Sequence, residues 1–190
     1  MIPHQIQTGC LLLTIQRHRM KSTDSLTRIS KVGSILSSSR SYPDHPFLGV
    51  SALIRHQAHI VLIERGKEPH LGVWSLPGGV VETGEHLEEA IVREVREEVG
   101  LDFIPDSLSE LVEILHYDSD NQCELHFVIG VFICDLSSQT ESPPQLSAGD
   151  DAKDARWVAI DTLDQYTLTD GTKDVIQRLL SNAQSPIRIG

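Results

Sequence analysis

Hydrophobic positions take on a regular period only from Phe47 onward. FLGVSALIRH and HIVLIERG are apolar, β-branched runs joined by a short polar link, which predicts a hairpin. Trp74-Ser75-Leu76-Pro77 predicts a brief extended segment leading into Gly78 and Gly79, with Trp74 as a packing residue. From about His86 to Val99 the period becomes helical, and Gly100 is placed to cap the end. Two strands are predicted over Leu108–Tyr117 and Glu124–Cys134, on either side of a polar turn at 118–122. The second contains FVIGVFIC, so continuously apolar that it reads as a central strand covered on both faces, with Cys134 as a core residue. A loop with Ser, Pro and Gly runs from Ser137 to Asp154, followed by a short strand at Arg156–Ile160. Asp170 can cap a last helix over Gly171–Ser181 with Val175, Leu179 and Leu180 as its apolar face. Strands mixed with helices predict an α/β fold, a three-layer α/β/α sandwich on a mixed sheet.

The central helix carries an anomaly. At roughly 100° per residue, Leu87, Ile91, Val95 and Val99 form one stripe. Glu98 falls inside that stripe and Glu94 at its edge, with Glu97 one turn from its end. Carboxylates are not buried bare; they are paired, protonated or bound to a cation. Between Gly79 and Leu101 there are seven Glu, whose mutual repulsion calls for nearby positive charge. Hard oxygen ligands spaced i, i+3 and i+4, with an inward-turned carbonyl from Gly78 or Gly79, suit Mg²⁺ or Mn²⁺ rather than Zn²⁺. Mg²⁺ commonly shares its coordination with substrate phosphates. The residues alone thus suggest a divalent-metal site for a phosphorylated substrate.

The stretch resembles the box of the Nudix hydrolases, G-x5-E-x7-R-E-U-x-E-E-x-G-U with U aliphatic. Gly79, Glu85, Arg93, Glu94, Val95, Glu97, Glu98, Gly100 and Leu101 fill every fixed position. The resemblance extends from about Leu48 to Leu180 and implies the sandwich fold, with hydrolysis of a nucleoside diphosphate linked to another moiety by water attack on phosphorus. It implies Glu94, Glu97 and Glu98 as metal ligands with the Gly78 or Gly79 carbonyl, Arg93 as the residue orienting a catalytic Glu, and Glu85 as its supporting acid. A general base from a later loop is implied too; Asp150, Asp151 and Asp154 are candidates, and Asp151 is chosen. Arg65 and Lys67 are candidate phosphate contacts. GVWSLPGGVVETGE, AGDDAKDARWV and LTDGT look like the bacterial ADP-ribose pyrophosphatase-like branch. A nucleoside triphosphate pyrophosphohydrolase, acting on oxidised nucleotides among others, is the enzymatic alternative, and a non-catalytic nucleotide-sensing domain is the alternative of another class.

Composition narrows the partners. The 190 residues carry a net charge of −11, unevenly spread. Residues 1–45 hold six Lys/Arg against two acids, and the remainder ten against twenty-five. An acidic body repels a nucleic-acid backbone, so no polymeric nucleic acid is expected, only a small phosphate substrate. No run reaches the roughly 18 apolar residues of a membrane span, so no membrane association is expected. Three widely spaced Cys suggest no disulfide framework, which fits a cytoplasmic protein, with a homodimer admitted as its assembly. Residues 1–45, rich in Ser and poor in acids, read as a disordered extension or an upstream start before Met20, with a transit peptide as the alternative. Residues 46–183 are then the Nudix domain and 184–190 a tail.

Overall fold

The computed structural model describes residues 40–67, 70–149 and 151–181. The expected extension (apart from its last six residues) and the expected tail lie outside them, as do Cys10, Met20 and Asp150. The described elements are β1 (Phe47–His56), β2 (His59–Arg65), β3 (Trp74–Ser75), β4 (Gly78–Val80), α1 (Leu87–Val99), β5 (Ser107–Tyr117), β6 (Cys123–Asp135), β7 (Ala152–Ala159) and α2 (Thr172–Ser181). Short 3-10 turns at Leu136–Ser138 and Ile160–Gln165 flank β7.

Seven strands form one mixed sheet, in the order β3-β2-β1-β6-β5, with β4 beside β1 and β7 beside β2. β1 and β6 run parallel over nine residue pairs. The expected hairpin forms, but β1 and β2 pair only at Arg55 with Ile60 and His56 with His59. Beyond that point the two strands part. β4 takes the free edge of β1, setting Val50 opposite Gly79 and Ser51 opposite Gly78. β7 takes the free edge of β2 along its whole length. The fork brings the double glycine into a sheet instead of leaving it in a loop.

Strand alternation sorts the core into two clusters, because successive side chains point to opposite faces. Val50, Ala52, Ile54, Val61 and Ile63 pack with Ala90, Ile91, Val95 and Val99 of α1. Leu53, Ile60 and Leu62 pack with Val175, Ile176 and Leu179 of α2. Among the described residues one helix thus covers each face, giving the three-layer α/β/α sandwich that the period changes predicted.

Several expectations are adjusted. β7 starts at Ala152, well before Arg156, since antiparallel pairing with β2 draws the polar residues Lys153 and Asp154 into a strand. In β6 only the C-terminal part, with Gly130, Val131, Phe132 and Cys134, is buried; the rest is half-buried. Helix α2 begins at Thr172, after Gly171 at φ 76°, with the hydroxyls of Thr169 and Thr172 bonded at its start. Ile176 is fully buried on its inner face, whereas Leu180 is only partly covered. Cys134 is a core residue as expected: burial pushes its thiol up to about 12, so it is not a nucleophile. Trp74 is likewise packed, edge-on to Tyr166 with the Arg156 guanidinium 5.1 Å from its ring centre. Among the described residues, no helix is long and apolar enough to cross a membrane.

Candidate active site

Both ends of α1 are fixed by its own sequence. His86 caps the N-terminus, its backbone N–H donating to Glu89 Oε2 at 2.9 Å in a capping box. Gly100 closes the C-terminus at φ 70°, its N–H donating to Arg96 O. The helix meets the sheet at β4, and two glycines allow that approach. Gly78 sits at φ 148°, where a side chain would strike the Val50 carbonyl. A side chain on Gly79 would occupy the space of the Glu94 carboxylate.

Glu98 is the buried acid that the helical wheel pointed to, 5% exposed. Its Oε2 accepts the Gly78 N–H at 2.8 Å. The contact made by Gly78 is therefore through its amide, a donor the sequence reading did not foresee; the brief extended LPGG segment was the available signal. Desolvation pushes the Glu98 carboxyl up to about 8, against the Gly78 hydrogen bond that lowers it. The negative charge of Glu94 adds to the rise, as that of Asp151 does more weakly, while Arg65 opposes it. Arg65 and Asp151 are thus electrostatic neighbours of Glu98.

Arg93 is the hub on the exposed side of this site. Its Nε and Nη2 donate to the two oxygens of Glu85 at 2.9 and 3.0 Å, a bidentate fork. Nη1 reaches Glu94 at 2.7 Å and Glu97 at 3.3 Å, and Nη2 also meets Val80 O at 3.2 Å. The guanidinium holds the Glu85 carboxyl below its ordinary range, and Glu85 in turn raises the guanidinium pKa. Lysine has one compact point charge and no planar fork, so it cannot keep the bidentate grip on Glu85 while also reaching Glu94 and Glu97. Arg93→Lys is expected to lower the unfolding free energy by about 1–2 kcal/mol, checked by urea denaturation in chelator.

Among the described residues, no three His, Cys, Asp or Glu side chains converge as a ready-made metal cage. Glu94 and Glu97 turn to Arg93 while Glu98 turns to Gly78. The donor chemistry nevertheless suits a hard divalent cation: a buried carboxylate shares its helix with Glu94, one turn before it, and with Glu97, all oxygen ligands. On the facing elements, the ammonium of Lys67 pairs with Asp151. Asp154 is held by Arg156 at 2.6 Å on β7.

An acid-bearing helix laid against a glycine strand on a mixed-sheet sandwich defines the class. A profile of the NUDIX domain matches residues 45–179. The ADP-ribose pyrophosphatase of Methanocaldococcus jannaschii is 40% identical over 119 residues, 63% of this chain and 65% of that protein, so the chain spans just under two thirds of that relative. The nucleoside triphosphatase NudI of Salmonella agona is 30% identical over 136 residues, 67% of this chain and 92% of that protein. Among solved structures, the bifunctional NMN adenylyltransferase/ADP ribose pyrophosphatase of Francisella tularensis, complexed with AMP and a Mn ion, is similar at a TM-score of 0.57 and 26% identity. That likeness covers 72% of this chain and 42% of the other. The chain belongs to the Nudix hydrolase family.

Proposed function

We propose that residues 46–183 catalyse divalent-metal-dependent hydrolysis of a nucleoside diphosphate linked to another moiety, and that the substrate is ADP-ribose, split into AMP and ribose 5-phosphate. The observation that carries the reading is the buried Glu98 carboxyl, whose pKa the charges of Glu94 and Asp151 help to raise, an accumulation of acids that a cation would relieve. The choice of ADP-ribose is supported by the name of the relative at 40% identity.

Glu94, Glu97 and Glu98, with the carbonyl of Gly78 or Gly79, would hold Mg²⁺ or Mn²⁺. When bound, the ion neutralises the phosphates and makes phosphorus more open to attack. Arg93 keeps Glu94 and Glu97 oriented, and Glu85 fixes Arg93. Asp151 accepts the proton of the attacking water. Lys67 and Arg65 offer their charge to the diphosphate. Water adds across the P–O–P link, and each product keeps one phosphate.

A second reading, cleavage of nucleoside triphosphates to monophosphate and pyrophosphate, is favoured by the similarity to NudI over 92% of that protein. Products separate the two. Incubation with ADP-ribose and Mg²⁺ is expected to yield equal amounts of AMP and ribose 5-phosphate, and none in excess EDTA. Inert ADP-ribose alongside released pyrophosphate from triphosphates would establish the second reading instead.

A further inference from the structure

The chain between β6 and β7 is anchored onto the C-terminal end of α1. Helix ends leave carbonyls without intrahelical partners. Two of these are met by this loop: Ser147 N–H donates to Val99 O at 2.9 Å and Gly149 N–H to Glu98 O at 3.1 Å. The carbonyl of Gly149 then accepts from Ala152 N–H at 3.0 Å, closing a turn that contains Asp151. On the other side Gly66 N–H donates to the Asp151 carbonyl at 2.7 Å. A continuous relay of main-chain bonds therefore runs from the Glu98 peptide through Gly149 to the Asp151 turn, and from there to the end of β2.

At both ends of this relay the backbones touch too closely for a side chain. A Cβ on Gly149 would lie 2.6 Å from Glu97 O, and a Cβ on Gly66 would lie 2.7 Å from Asp151 O. Neither glycine has a positive φ, so space rather than backbone conformation is the constraint. Upstream of these contacts the loop is tethered at two further points. The ring of the buried His56 bonds to Thr140 O at 3.1 Å, and Trp157 Nε1 donates to Pro144 O at 2.8 Å. Downstream, β7 pairs with β2 from Ala152 to Ala159, with a register shift at Glu64/Arg65 that falls just after the Asp151 turn.

We propose that Gly149, with Gly66 opposite it, is a positioning residue that sets the distance between the Asp151 carboxylate and the Glu98 end of the acid helix. The proposal rests on the reading of Asp151 as the base. Relief of a 2.6 Å contact needs a shift of roughly 0.5–1 Å to reach ordinary carbon separations, and the Asp151 turn is the part left to move. A misplacement of that size costs a proton acceptor about 10²-fold in rate.

The experiment uses the full chain and ADP-ribose, with Mn²⁺ binding followed separately by electron paramagnetic resonance. Gly149→Ala is expected to lower kcat by about 10–10²-fold, leaving KM and Mn²⁺ affinity within about twofold. Combined with Asp151→Asn, it should add nothing to the loss seen for Asp151→Asn alone, because both changes act through one group. Multiplying losses in the double variant, or an unchanged kcat for Gly149→Ala, overturns the positioning role while leaving the base assignment standing. A harmless Asp151→Asn overturns the base assignment itself and the inference with it. Should Gly149→Ala not fold, Gly66→Ala tests the same clamp from the residue after β2, with the same kcat loss and the same non-additivity expected.

Discussion

Glu98→Gln is expected to reduce turnover on the order of 10³-fold or more, a barrier increase of about 4 kcal/mol, while the protein stays folded. The amide keeps the shape of the side chain and can still accept the Gly78 N–H, so the packing of α1 on β4 survives. What it removes is the charge that a divalent cation would need, and Mn²⁺ affinity should fall together with turnover. The variant also has a signature in the absence of metal. Because burial raises the Glu98 pKa to about 8 in the folded chain, the protonated form is favoured there. The metal-free wild type should be most stable below about pH 4.5 with respect to this group and lose that contribution as pH rises to about 8. Glu98→Gln should abolish this part of the pH dependence and be the more stable protein at pH 8 and above. Denaturant titrations in chelator at pH 5 and pH 8.5 measure the difference; wild-type turnover by the variant would refute the ligand role.

Asp151→Asn should separate proton transfer from metal binding. A positioned general base contributes about 10²–10⁴-fold, and that is the expected loss in kcat. Mn²⁺ affinity should remain near the wild-type value. The side chain is half exposed, paired with Lys67, and acts on Glu98 only through its charge. Of its neighbours in sequence, Asp154 is already engaged by Arg156 and lies in a strand. An equally deep loss for Asp150→Asn, with Asp151→Asn nearly active, would move the role one residue along the loop.

Much of this site was written in the local period of the chain. The stripe through Leu87, Ile91, Val95 and Val99 defined α1, and the acid lodged within it at Glu98 proved buried. The two glycines before the helix could be read as the site's main-chain contribution, though as a carbonyl and not as the Gly78 amide that meets Glu98. What local pattern could not provide was pairing at a distance. β4 is three residues long and exists only because β1, almost thirty residues earlier, has a free edge where β2 leaves it. Lys153 and Asp154 look like loop residues and become strand through β2. Nor does apolarity alone secure cover. On β5, Leu111, Leu115 and Tyr117 remain 43–53% exposed in spite of their side chains, because α1 and α2 pack over other parts of the sheet.

The fork of Arg93 also bears on how this protein would live between metal-bound periods. Three carboxylates already share an internal counter-ion that no chelator can remove. On the proposed reading, folding and metal loading would therefore be separable events, unlike those small domains whose chain collapses only around its ion. On that reading, the enzyme can shed its cation when the supply runs low, wait intact, and resume work when the supply returns.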